Sequence, residues 1–86
     1  MNTEDPIRKG RKAQQLLEDE VLNNALAKLE NDQLWLFRSS KPEESSKREN
    51  AWSMLQAIDG LRQELVKVMD NGKIAQKQAE RAPKLI

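Results

Sequence analysis

Residues 19–38, DEVLNNALAKLENDQLWLFR, decide how the rest of the chain is read. Leu22, Ala25, Leu26, Leu29, Leu36 and Phe37, with Gln33 completing the row, recur at spacings of three, four and seven. That is the period of one face of an α-helix, not the alternation of a strand. Lys28, Glu30, Asn31 and Asp32 fall mostly off this stripe, and Asp19 stands where an N-cap residue belongs. Val21, Leu34 and Trp35 also fall off it. The later half of the helix is therefore apolar on more than one side, and these three residues form the candidate protein interface.

Outward toward the C-terminus, Ser40-Lys41-Pro42-Glu43 has the S-x-x-E form of a capping box with Pro in the first turn. Ser46 and Glu49 repeat the form, so a further helix starts at about Pro42 or Ser46. It runs to Asp70, with Ala51, Trp52, Leu55, Ile58, Leu61, Leu65, Val68 and Met69 on its inner face and Met54 beside it. Arg62 accompanies Leu61. Asn71-Gly72 reads as a helix stop, since Gly accepts the left-handed conformation of a Schellman cap. A short last helix then spans Ile74, Ala75 and Ala79 and ends before Pro83. The short link at 39–44 makes the two long helices antiparallel neighbours. Trp35 and Trp52 lie on either side of that link, where they either close the core at the turn or, for Trp35, anchor a partner.

Outward toward the N-terminus, Thr3-Glu4-Asp5-Pro6 signals a helix start. The helix that follows is short, interrupted at Gly10, and docks through Leu16 and Leu17. The expected architecture is all-α: one domain over residues 1–86, with a short N-terminal helix in 1–18, a long antiparallel helical hairpin in 19–70, and a short C-terminal helix and tail in 71–86.

Composition bounds the chemistry. The chain has 86 residues, no Cys, no His and no Tyr, and 34% of its residues are charged. Without Cys or His there is no zinc or iron–sulfur ligand set, no disulfide, no thiol nucleophile and no histidine-based triad. Acidic neighbours such as Asp19/Glu20 and Glu43/Glu44 sit at helix N-termini, where negative charge offsets the macrodipole. No Gly-rich phosphate loop exists, because the three glycines are isolated. No catalytic, cofactor or metal residue is assigned, and the expectation is a protein that is not an enzyme.

Net charge is +1, but its distribution is uneven. Arg8, Lys9, Arg11 and Lys12 crowd one stretch and are the candidate phosphate contacts, since nucleic-acid affinity is largely counterion release. Glu4, Asp5 and Glu18 flank them and no aromatic stands near for base stacking, which favours a solvated helix face. No apolar run approaches a membrane span and no signal peptide follows Met1, so the expected location is cytoplasmic.

One pattern spans nearly the whole chain. It runs through Leu16-Leu17, Ala25-Leu26, Leu29-Glu30, Ser40 and Pro42, then Arg48-Glu49-x-x-Trp52, Leu55-Gln56-Ala57, Leu61-Arg62, Leu65 and Gly72-Lys73-Ile74-Ala75. It resembles a family of small helical proteins of tailed bacteriophages and prophages, encoded near head and packaging genes. The resemblance implies a phage protein in the host cytoplasm or the virion. It carries over no catalytic or ligand residue, and Phe37 stands where the pattern favours Trp. Three readings follow: helix-face contacts with itself or a phage structural protein in virion assembly, a small effector that inhibits a host protein, or nucleic-acid binding through the basic ends.

Overall fold

A computed structural model describes residues 4–81 and contains three helices among them: α1 (Glu4–Leu17), α2 (Glu20–Ser39) and α3 (Ser45–Arg81). The expected cap at Thr3 and the tail from Lys84 lie outside the described residues. The chain divides into two compact units. One combines Met1–Asp19 with Gln63–Ile86, and the other is Glu20–Arg62.

In the first unit, α1 packs on the later part of α3 through small residues. Gly10, Ala13, Gly72 and Ala75 are all buried. A Cβ added to Gly72 would stand 2.8 Å from the Cα of Gly10 and 2.9 Å from the carbonyl oxygen of Pro6. A Cβ on Gly10 would stand equally close, 2.8 Å, to the Cα of Gly72. The two backbones therefore touch, and only glycine on both sides permits it. This corrects two expectations. Gly72 does not end a helix: no glycine has a positive φ, and α3 continues through it to Arg81. There is accordingly no separate short C-terminal helix. Gly10 likewise does not interrupt α1. Both glycines serve close approach, which outweighs the roughly 1 kcal/mol each forfeits in helix propensity. Leu16, expected to dock α1, is 45% exposed, while Leu17 is half-buried.

In the second unit, α2 meets the first part of α3. Leu26, Ala51 and Ile58 are buried, with Leu22, Gln33 and Leu55 half-buried around them. Glu30 on α2 receives both guanidinium nitrogens of Arg62, at 2.8 Å each. Seven residues further along α2, Phe37 shares a groove with residues 45–53 of α3, well before Arg62. These contacts fit helices running in opposite directions.

The connection is set differently from the expected Ser40 box. The Lys41 amide donates to Glu44 Oε1 at 2.9 Å, and the Glu44 amide donates to the Lys41 carbonyl at 2.9 Å. Glu44 thus closes the turn ahead of Ser45, whereas Ser40 Oγ donates back to the Phe37 carbonyl at 2.8 Å. Arg48 ties the whole link down: Nη1 donates to Ser40 Oγ (3.2 Å) and to the Lys41 carbonyl (2.6 Å), and Nη2 to the Pro42 carbonyl (3.0 Å).

Along α3, Ala51, Ile58, Leu65, Gly72 and Ala79 stand seven residues apart, and each is buried or half-buried. A strict seven-residue repeat is the coiled-coil period. The inner face of α3 is narrower than the sequence stripe suggested. Trp52 is 58% exposed and Leu61 47%; on α2, Leu29, Leu36 and Phe37 are exposed to a similar extent. A helix touched along one line buries one line, so residues a third of a turn away stay wet.

Candidate interaction surface

The three residues singled out on α2 are all exposed: Val21 at 79%, Leu34 at 49% and Trp35 at 67%. They do not make one patch. At about 100° per residue, Trp35 lies about 180° from the buried Leu26, on the outer side of α2. Leu34 lies about 100° from Trp35, toward one flank. Val21 shares the outer side with Trp35 but is separated from it by roughly 21 Å of helix. Trp35 is thus a lone outward aromatic, and the idea that it closes the core with Trp52 is overturned by the exposure of both.

Trp52 instead lines an open groove of about 580 Å³ with Phe37, Ser45, Arg48, Glu49 and Ser53. Its aromatic walls stand beside the Arg48 guanidinium, whose hydrogen bonds already hold the 40–42 link. Arg48 thereby ties one wall of the groove to the link. The sequence stripe put both Ala51 and Trp52, the latter three residues before Leu55, on the inner face of α3. Ala51 is 1% exposed and takes the inner position, which turns Trp52 about 100° outward.

Of the basic residues on α1, Arg8 and Lys9 share Asp5, with Arg8 Nη2 at 2.6 Å and Lys9 Nζ at 3.5 Å from its carboxylate. Arg11 lines a smaller groove, about 180 Å³, beside the glycine contact; Ile7, Gln14, Met69, Lys73 and Gln76 also line it. Lys12 is exposed. Successive steps of about 100° spread the four cations around the solvent side of α1 rather than along one stripe.

Two carboxylates have acidities set by the fold. The Arg62 guanidinium bonded to Glu30 holds its carboxyl below the usual range. Glu44 is lowered by Lys47 first, at 2.6 Å, and then by the Lys41 amide. Both are structural bonds at helix contacts or turns. Among the described residues no group of three or more acidic side chains is placed to hold a metal ion. No described helix is long and apolar enough to cross a membrane.

The residues missed at the sequence level are Gly10, Gly72, Arg48 and the half-exposed leucines. The glycines were visible as two residues that each broke an otherwise helical pattern. Arg48 carried no local signal, because its partners are carbonyl oxygens. No known protein family, curated protein or solved structure matches this chain.

Proposed function

We propose that this protein works by helix-face contacts with other proteins rather than by catalysis, with α2 and the first part of α3 acting as an antiparallel helical hairpin. One observation carries the reading: twelve large apolar side chains, both tryptophans among them, are at least 40% exposed, while Leu26 and Ile58 are the only large ones buried among the described residues. Exposed apolar side chains occur singly on any surface, but nine of the twelve lie within Glu20–Arg62, a density that marks a surface for a partner to cover. Trp and Phe in a groove lined by Arg48 supply the rigid aromatic anchors on which interfaces depend.

The sequence resemblance puts that work in a phage setting, where the protein is a component or aid of virion assembly. The alternative, an effector that blocks a host protein, uses the same surface. Binding of nucleic acid is less favoured, because Arg8 and Lys9 are tied to Asp5 and the aromatics lie on other helices.

The test is affinity purification of the tagged chain from infected cells, with native mass spectrometry and a Trp35→Ala/Trp52→Ala variant alongside. The reading expects a complex of fixed stoichiometry that the variant loses at least tenfold. Particle proteins in it mean assembly, and a host enzyme means the effector role. A lone monomer, absent from purified particles, overturns the proposal.

A further inference from the structure

Four half-exposed side chains in the second unit share an unusual uniformity. Leu29 is 46% exposed, Leu36 43%, Met54 47% and Leu61 47%. Counting about 100° per residue from the buried Leu26, Leu29 and Leu36 fall about 60–80° to one rotational side of α2. Counting from the buried Ile58, Met54 and Leu61 fall about 40–60° to the same rotational side of α3. In an antiparallel pair, equal rotational sides lie on the same side of the pair. Outward from the Glu30–Arg62 contact, Leu29 comes within two residues of level with Leu61, and Leu36 within two of Met54. Ala25 and Ala57, both exposed, extend the same two edges. The result is one apolar trough on one side of the hairpin, with small residues at its margins.

Two observations say what covers it. Along α3, Met54, Leu61, Val68 and Ala75 recur every seven residues. Val68 is half-buried and Ala75 buried in the first unit, while Met54 and Leu61 stay half-exposed in the second. The same helical seam is thus used for helix packing in one part and left open in the other, so the open part is built to receive a helix. The second observation is size. A hairpin about 30 Å long and about 20 Å wide offers roughly 600 Å² on one side. Two such faces together bury on the order of 1,200 Å², above the roughly 1,000 Å² that a specific interface requires. Of the two charges between Leu29 and Leu36, Glu30 is bonded to Arg62 and Asp32 is paired with Lys28 at 3.0 Å. A face of this size, carrying the trough and present on identical chains, suits a two-fold contact.

We infer that a second copy of this chain packs on the Leu29–Leu36 and Met54–Leu61 face, giving a four-helix contact between two hairpins. The inference rests on the helix-contact reading above and names one of its partners.

The test is sedimentation equilibrium of the full chain from 5 to 200 µM, with Leu29→Glu and Leu61→Glu variants checked for helicity by circular dichroism. The expected result is a mass of twice 9.9 kDa for the wild type and at least a tenfold weaker dimer for each variant. Ala57→Cys supplies a second measurement that does not disturb the trough. The chain has no native Cys, so any disulfide formed is between copies. Ala57→Cys should oxidise to a linked dimer at least tenfold faster than Val21→Cys. A wild type that stays at 9.9 kDa throughout overturns the inference, as does a dimer insensitive to Leu29 and Leu61 with no preference for the Ala57 disulfide. If that monomer still carries a Trp-dependent complex out of cells, only the self-association fails; if it carries none, the broader reading fails as well.

Discussion

The two units hold their helices together by different physics. In the first, Gly10 and Gly72 bring backbones into contact, with Ala13 and Ala75 buried beside them. No large side chain is fully buried there, so close backbone approach and short-range dispersion contribute much of the contact, with Ile7, Leu17, Leu65, Val68 and Met69 half-buried around it. In the second, Leu26 and Ile58 fill the contact and a two-pronged Glu30–Arg62 bond bridges it. Beside that contact Leu29, Leu36, Met54 and Leu61 stay half-wet. The first unit leaves three large apolar side chains exposed, Leu16, Val66 and Ile74, whereas the second leaves nine for something else to cover.

The sharpest way to break the comparison is at its glycines. Gly72→Ala should destabilise the first unit, because its methyl meets only the backbone of α1, at Gly10 and Pro6, and no flexible side chain can give way. Overpacking costs about 1–3 kcal/mol. That exceeds the gain of about 1 kcal/mol that alanine brings to a helix interior. Urea unfolding followed by circular dichroism should show the loss. Tryptophan emission should change less, since Trp35 and Trp52 both belong to the other unit. Gly10→Ala should behave alike. An increase in stability for either would mean the helices can part at no cost.

Replacing Arg48 by Lys comes next. An ammonium cannot span Ser40 Oγ and two carbonyls from one fixed fork, so the link loses hydrogen bonds worth about 1 kcal/mol or somewhat more. The second unit should unfold earlier, with the tryptophan signal leading.

Gly60→Ala should go the other way. Nothing lies within 4 Å of a Cβ there, so only the helix propensity changes. The expected gain is about 1 kcal/mol. In a domain this size that raises Tm by roughly 4–8 °C. Three glycines in helices, with opposite signs on substitution, would separate close approach from simple tolerance.

The contrast also explains how much could be read from the chain. Helix existence was legible, since α2 at Glu20–Ser39 lies within one residue of the stripe read over 19–38. The end of α3 was not. A glycine after Asn71 has the same local signature whether it turns the chain or admits a neighbour, and the deciding partner, Gly10, lies sixty-two positions away. Burial was overread for a related reason. A seven-residue repeat at Ala51, Ile58, Leu65, Gly72 and Ala79 fixes one narrow line, while a generous helical stripe admits Trp52 and Leu61 as well. Of the candidate interface, the exposure of Val21, Leu34 and Trp35 was readable, but their scatter over two sides of α2 becomes apparent only when the angle from Leu26 is counted.

Acid tests the bridging bond of the second unit. Glu30 and Glu44 both have carboxyls lowered in the folded state, Glu30 by the Arg62 bond and Glu44 by Lys47 and the Lys41 amide. Their contribution is therefore full above the unfolded carboxylate value, about 4.3, and disappears as pH falls through the lower folded values. With no His in the chain, Tm should be nearly level from pH 8 to 5 and fall below about 4.3. Glu30→Gln should lower Tm at neutral pH and flatten the acid limb, with the two curves converging at low pH. Curves that stay parallel would show that the Glu30–Arg62 bond adds nothing to the contact.

The smallest effect belongs to the charges outside both contacts. Lys28–Asp32 lies on one helix four residues apart, with side chains 77% and 51% exposed. Such pairs contribute a few tenths of a kcal/mol and weaken with salt. Lys28→Ala should therefore move Tm by no more than about 3 °C, and 1 M salt should shift the wild type little. If Lys28→Ala instead disturbs association, Asp32 has been left unpaired at the outer margin of the apolar trough, about 120° from Leu26. A change in self-association without a change in monomer Tm would then locate the dimer contact on that side of α2, independently of Leu29 and Leu61.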